Sequence, residues 1–199
     1  NGTLQSECPT RTGSERYVYD PQKPVPTICG NVVGNAGGVT GLGPKKQRKV
    51  GERSDVISFV SAPLTEDKNI CGSMKAKLHV SSDAPATAFT ICVSEVCPDG
   101  TTYNIRDDIT DIRWRTETER EPYEPNSVVC LELELMDITW KVKKGSCLRV
   151  DISSSNFPLY HTHFNNTEPW YTQTKGKKAK QTIYYGGDCA SSITLPLDG

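Results

Sequence analysis

Residues 128–158 read VVCLELELMDITWKVKKGSCLRVDISSSNFP. Val129, Leu131, Leu133 and Leu135 fall on one phase, and Cys130, Glu132 and Glu134 fall on the other. A period of two over this length marks a half-buried β-strand. After the basic turn KVKKGS the alternation resumes, with Leu148, Val150 and Ile152 inward and Cys147, Arg149 and Asp151 outward. Hydroxyl and amide side chains in ISSSNFP suit a strand end, and Pro158 lacks the N–H that would continue the ladder.

The rest of the chain follows the same pattern. DVISFVS (55–61) reads as a nearly continuous buried strand. From Ile70 to Val80 the alternation is the cleanest in the protein and predicts one strand: Ile70, Met74, Ala76, Leu78 and Val80 point inward, while Cys71, Ser73, Lys75, Lys77 and His79 point to solvent. SSDAPAT breaks it; Phe89, Ile91 and Val93 begin the next strand, and Pro98-Asp99-Gly100 forms a turn. Tyr103/Ile105 and Ile112/Trp114 predict two short strands, with Asp111, Arg113 and Arg115 outward on the second. QTIYYGG and SSITLPL close the chain with two more. About ten strands, with no helical period lasting three turns, imply an all-β antiparallel sandwich. Residues 1–54 form a proline- and glycine-rich lead-in with one or two short strands, 55–199 carry the main strands, and the whole reads as one domain.

A chain of 199 residues supports one core, burying roughly 70% of its unfolded surface without staples. The net charge of −1 provides no global field for nucleic acid or a membrane surface. Apolar runs such as 56–60 fall far below the ~20 residues of a spanning helix. The first residue is Asn1, without a starting methionine or a basic and apolar leader, so the sequence reads as trimmed from a longer precursor or by design. Eight cysteines, Cys8, Cys29, Cys71, Cys92, Cys97, Cys130, Cys147 and Cys189, permit a disulfide framework. Cys71, Cys130 and Cys147 sit on the polar phase of their strands, where cross-strand bridges on an outer face are one reading and free thiols the other. Paired cysteines imply a secreted or periplasmic protein, and free ones a cytoplasmic protein.

Chemistry-bearing patterns are sparse. No G-x-S-x-G elbow and no βαβ alternation occur, so a nucleophile of the α/β-hydrolase type is not expected in this chain. The glycine-rich stretch 30–43 lacks the GKS or GKT of a phosphate loop and reads as a surface loop; KKQRK (45–49) reads as a solvated basic turn. His79 reads as solvated. His161 and His163 share a face in extended chain but lack two further ligands, so they read as loop histidines, and neither metal nor cofactor is expected. Asp107/Asp108 is placed in a turn and Glu132/Glu134 on a solvent-facing strand phase, without the burial that would raise either pair's pKa. Trp114 and Trp140 share phase with core residues. Trp170 and Tyr171 lie in a loop, where they pack against a neighbouring domain or their own loop, or stack a sugar. The sequons Asn1-Gly-Thr and Asn165-Asn-Thr both fall in loops.

Seven stretches in order resemble one family: YDPQKPVPT (19–27), GPKKQRKVGERSDVISFVSAPLTED (43–67), SSDAPATAFT (81–90), SEVCPDGTTYNIRDD (94–108), IRWR (112–115), KKGSCLRVDISSSNFP (143–158) and IYYGG…SITLPL (183–197). Together they are similar to the C-terminal domain of the X-Pro dipeptidyl-peptidase and cocaine-esterase serine hydrolases. The resemblance implies a jelly-roll, galactose-binding-like sandwich that follows an α/β-hydrolase domain and helps wall its active-site cleft. The family's catalytic residues map onto no position here. Its implied contact residues are Phe59, Leu64, Arg113, Trp114 and Arg115. The chain departs from the family at NNTEP after DISSSNFP, at Asp107-Asp108 where an Asp-Gly turn is expected, and in its eight cysteines.

Three functions are consistent with these readings: an accessory non-catalytic domain partnered with an α/β-hydrolase domain, a carbohydrate-binding module using Trp170 and Tyr171, or a disulfide-bridged engineered scaffold. Fold alone does not choose among them.

Overall fold

The structure, a computed structural model, describes residues 1–28, 43–115 and 120–198. The described residues form thirteen strands: β1 (Gly2–Leu4), β2 (Gly13–Tyr19), β3 (Ile57–Ser61), β4 (Lys68–Gly72), β5 (Lys75–Ser82), β6 (Ala88–Val96), β7 (Thr102–Asp111), β8 (Val129–Glu134), β9 (Ile138–Val142), β10 (Cys147–Ser153), β11 (Ala179–Tyr185), β12 (Ser192–Thr194) and β13 (Leu197–Asp198). Two short 3₁₀ turns, Trp170–Thr172 and Gly187–Cys189, are their only helical pieces. The protein is an all-β sandwich.

The first sheet runs β1-β3-β10-β6-β7; the second runs β12-β5-β11-β2, with β8 added along β5. A small third sheet, β13-β4-β9, adjoins them. Pairing is antiparallel except for β1 beside β3, which is parallel. The inner faces share one core, built from Phe89, Ile91, Val93, Val150 and Ile152 on the first sheet and from Tyr17, Leu78, Val80, Leu131, Leu133 and Ile183 on the second.

The alternation in 128–135 is realised in β8, where Leu131 and Leu133 are buried and Glu132 and Glu134 are exposed. Those glutamates pair with Lys77 and Lys75 across the ladder. The KVKKGS stretch is not all turn, because Lys141 and Val142 end β9. Residues 70–80 form two strands in two sheets rather than one. Gly72 adopts φ +119, a backbone state that side-chain-bearing residues rarely take, and the chain crosses there from the third sheet to the second. Ile70, Met74, Ala76, Leu78 and Val80 are nonetheless all buried, as their phase predicts.

Residues 102–111 form one ten-residue strand rather than parts of two short ones. Asp107 and Asp108 therefore lie mid-ladder opposite Cys92 and Ile91, with no turn between them. Trp114 is exposed, whereas Trp140 packs against the core and donates Nε1–H to Glu95 Oε2 at 2.9 Å.

The central strands β6 and β10 are covered on both faces. Arg149 reads as outward on its polar phase, and Thr90 and Ser94 lie on the phase opposite Phe89, Ile91 and Val93, yet all three are buried. The lead-in lies over them: Gln47 N–H donates to Thr102 O (2.8 Å), Lys45 N–H to Asn104 Oδ1 (2.8 Å) and Arg149 Nη1 to Arg48 O (2.6 Å). KKQRK is accordingly pinned along β7, not a free turn. Apart from Gly43, the glycine-rich stretch 30–43 lies outside the described residues, as does Cys29.

Candidate functional site

Parts of three stretches that carry the resemblance, SSDAPATAFT, IRWR and the end of KKGSCLRVDISSSNFP, lie at one end of the sandwich. The loop after β5 (83–87), the end of β7 (111–115), the segment after β10 and the loop around residue 163 meet there through a chain of hydrogen bonds. Tyr17 OH and Ser154 Oγ are 2.9 Å apart, and Gln181 Nε2 donates to Ser154 Oγ (3.2 Å) and Thr87 Oγ1 (2.7 Å). Thr87 Oγ1 donates to Asn165 Oδ1 (2.7 Å), and Asn165 Nδ2 to Lys177 O (2.5 Å). Asn165 lies in a loop, as the sequence predicts, but it is only 1% exposed and takes φ +61, so its side-chain amide is enclosed.

The network ends on Asp111, His163 and Arg113. Asp111 Oδ1 accepts from the backbone N–H of Arg113 (2.8 Å) and from its Nε (2.9 Å), and Oδ2 accepts from Nη2 (2.5 Å). Arg113 was expected to face solvent but is buried. The guanidinium folds back over a carboxylate two residues away, a bidentate match of planar groups. Burial pushes the Asp111 carboxyl up, but the hydrogen bonds from His163 and Arg113 outweigh it and bring the pKa down to about 2.

His163 is committed on both sides. Its Nδ1 accepts the Asn165 backbone N–H at 2.9 Å, so the ring proton sits on Nε2, which faces Asp111 Oδ2 at 3.2 Å. Neither nitrogen is left to activate a nucleophile, so an aspartate–histidine pair that superficially suggests a hydrolase serves structure here. His161 instead meets Trp170 edge to face with ring centroids 5.5 Å apart, so the two histidines offer no common metal face. His79 is half-buried, not solvated, and its Nδ1 is enclosed without a partner among the described residues.

Folded-state linkage fixes the sign of the Asp111 effect. A carboxyl whose folded pKa is depressed contributes stability above its ordinary value and loses it as pH falls through the folded one. From the ordinary 3.8 down to about 2, the contribution is expected to fade by roughly 2 kcal/mol. Carbon-detected titration of the Asp111 carboxyl should give a midpoint near 2; an ordinary midpoint would refute the assignment. Asp107 and Asp108 shift the other way: burial raises both, against the expectation of solvated carboxylates, and Asn156 and Tyr160 oppose the rise at Asp107.

The expected contact residues do not form one surface. Trp114 is 43% exposed beyond the end of β7, and Arg115 pairs with Glu121 beside it. Leu64 lies at the opposite end of the first sheet, exchanging backbone hydrogen bonds with Ser146 and Gly145 and partly buried against the core. Phe59 is also partly buried; its ring lies on Gly2, where a Cβ would come within 2.8 Å of it. Phase analysis gave no sign of this split, because β1 and the ends of β7 enter only through pairing. Near Trp114, an open groove of about 280 Å³ is lined by Ile109, Thr110 and Leu133 with Asp108, Glu132 and Glu134 around them.

Trp170 and Tyr171 are 67% and 73% exposed on their 3₁₀ turn, with rings at 86° to each other. Cys8, Cys92, Cys97, Cys130, Cys147 and Cys189 are free thiols. The polar-phase cysteines face other residue types across their ladders: Cys71 opposes Thr139, Cys130 opposes His79 and Cys147 opposes Val96. Of the two readings, cross-strand bridges or free thiols, the ladders put no second cysteine directly opposite Cys71, Cys130 or Cys147.

Over residues 1–194 the chain matches the X-Pro dipeptidyl-peptidase C-terminal non-catalytic domain. It is 32% identical over 201 residues to the cocaine esterase of Rhodococcus sp. (strain MB1 Bresler), a match covering 98% of this chain and 34% of the esterase. An aminopeptidase from the marine sediment archaeon Thaumarchaeota archaeon shares the fold with a TM-score of 0.88 at 23% identity, over 100% of this chain and 35% of that one. An alpha-amino acid ester hydrolase superposes with a TM-score of 0.82 at 27% identity, over 94% of this chain and 33% of the hydrolase. The chain spans about a third of the length of these relatives. With a sandwich in place of an α/β sheet and its Asp–His pair closed off, the chain belongs to the family of X-Pro dipeptidyl-peptidase C-terminal non-catalytic domains.

Proposed function

We propose that the domain braces a serine hydrolase of the X-Pro dipeptidyl-peptidase or acyl-esterase type, packing against its α/β-hydrolase portion and helping to wall the substrate cleft, with Trp114 at the centre of the contact. The observation that carries this reading is the presentation of Trp114: a large exposed ring on a segment held by the ion pair of buried Arg113 with half-buried Asp111, at the edge of an open groove. An aromatic anchor surrounded by charged groups is the usual make-up of an interface centre. Arg115 at the rim supports it, whereas Phe59 and Leu64 are better explained as packing within the domain. A sugar-stacking role for Trp170 and Tyr171 has less support, because rings crossing at 86° do not offer one flat platform.

The test is to express the α/β-hydrolase portion of the parent enzyme separately and titrate it with this domain. Association at about micromolar Kd or tighter is expected for a standard-sized interface. The domain alone should leave Ala-Pro and ester chromogenic substrates intact. Absence of association, or unaided turnover, would overturn the reading.

A further inference from the structure

We propose that Arg48 anchors a binding site for a small oxyanion, of carboxylate or phosphate size, in the cleft between the lead-in and the outer face of the first sheet. The cleft has a volume of about 60 Å³, and Arg48, Lys49, Arg53 and Arg149 line it together with the carboxylates of Asp107 and Asp151. Half of these charges are matched in ion pairs, Arg53 with Asp55 and Arg149 with Asp151. Arg53 forks onto Asp55 through Nε and Nη2, both at 2.7 Å. Asp151 Oδ1 accepts from Arg149 Nε (2.7 Å) and Ser58 Oγ (2.6 Å), and Asp107 Oδ2 accepts from Asn156 Nδ2 (3.0 Å). The Arg48 guanidinium is half-buried and makes neither a hydrogen bond nor an ion pair with any described residue.

A half-buried cation without a counterion is costly, and an arginine fork is shaped for oxyanions. Burial first, and the Arg53 charge second, hold the Arg48 guanidinium below its ordinary value, with Glu52, Asp55 and Asp151 acting against them. The charge of a bound anion would offset both causes.

The residue is also held in place. Arg149 clamps its carbonyl, and the preceding Gln47 is tied through its backbone N–H to Thr102 O (2.8 Å) and through Nε2 to Ile28 O (2.9 Å) and Asn104 Oδ1 (3.0 Å). Such fixing lowers the entropy lost on binding. The volume admits one small group and excludes a nucleotide or an oligosaccharide. This inference does not rest on the interdomain reading.

Calorimetric titration of the 199-residue protein with inorganic phosphate and, separately, with acetate at constant ionic strength tests it. At least one anion should bind at millimolar concentration, and which one does separates a phosphoryl ligand from a carboxylate. Arg48→Ala should weaken binding at least about tenfold. The variant should fold normally, since the side chain it removes has no partner. Lys175→Ala, an exposed charge on the loop after β10, should bind as the native protein does. No binding of either anion up to about 50 mM, at which mass action fills any millimolar site, would overturn the proposal. So would an Arg48→Ala protein that binds with native affinity, or a Lys175→Ala protein that loses as much.

Discussion

Replacing Asp111 with alanine is expected to remove about 3–5 kcal/mol of folding stability, the usual result of leaving one member of a buried ion pair behind. The arginine left over is Arg113, buried and hydrogen-bonded through its side chain to the carboxylate that would be lost. Two further contacts go with it, the cap on the Arg113 backbone N–H and the partner of His163 Nε2. Asp111→Asn should lie between the two proteins, because the amide oxygen still accepts a hydrogen bond while the charge is gone. Urea unfolding followed by circular dichroism reads the difference as a shift in midpoint. A loss below about 1 kcal/mol in the alanine variant would mean that the pair contributes no more than an exposed salt bridge does.

Trp114→Ala is expected to weaken association with the α/β-hydrolase portion by about 2–4 kcal/mol, at least thirtyfold in Kd, as for an aromatic hot spot. Its own stability should change little, since 43% of the residue already faces solvent and its backbone N–H still donates to Asp111 O. Tyr103 provides the control: it is an exposed aromatic at the other end of β7, so Tyr103→Ala should keep native affinity. The pair of variants thus identifies which end of the sandwich meets the catalytic portion. Equal loss from both, or loss only from Tyr103→Ala, would move the contact away from Trp114.

The two experiments bear on separate steps of one argument. Asp111 and His163 hold the 111–115 segment by hydrogen bonds, and Trp114 stands exposed on that segment. A weakened Asp111→Ala protein that still bound its partner at full strength would show that the network supports the fold alone.

Local alternation was enough to identify the core. Leu131, Leu133, Val150, Ile152, Leu78 and Val80 each lie where a period of two puts them, because side chains on a strand point to opposite faces whatever the strand pairs with. The absence of a nucleophile elbow, the sandwich class and the family were likewise legible in motifs and their order. What phase could not supply was the covering of the other face. Arg149 lies on a polar phase, yet it is buried because Arg48, distant in sequence, crosses over it. Asp107 looked like a turn residue until β6 was laid beside it, and Asn165 is a loop sequon whose side-chain amide Thr87 and Lys177 enclose. Which side chains on β5, β8 and β10 face the core follows from each strand's own alternation, and so was readable in the residues alone. Which polar groups are enclosed and which aromatic remains outside emerges in three dimensions, because enclosure depends on segments remote in the chain that pairing brings together.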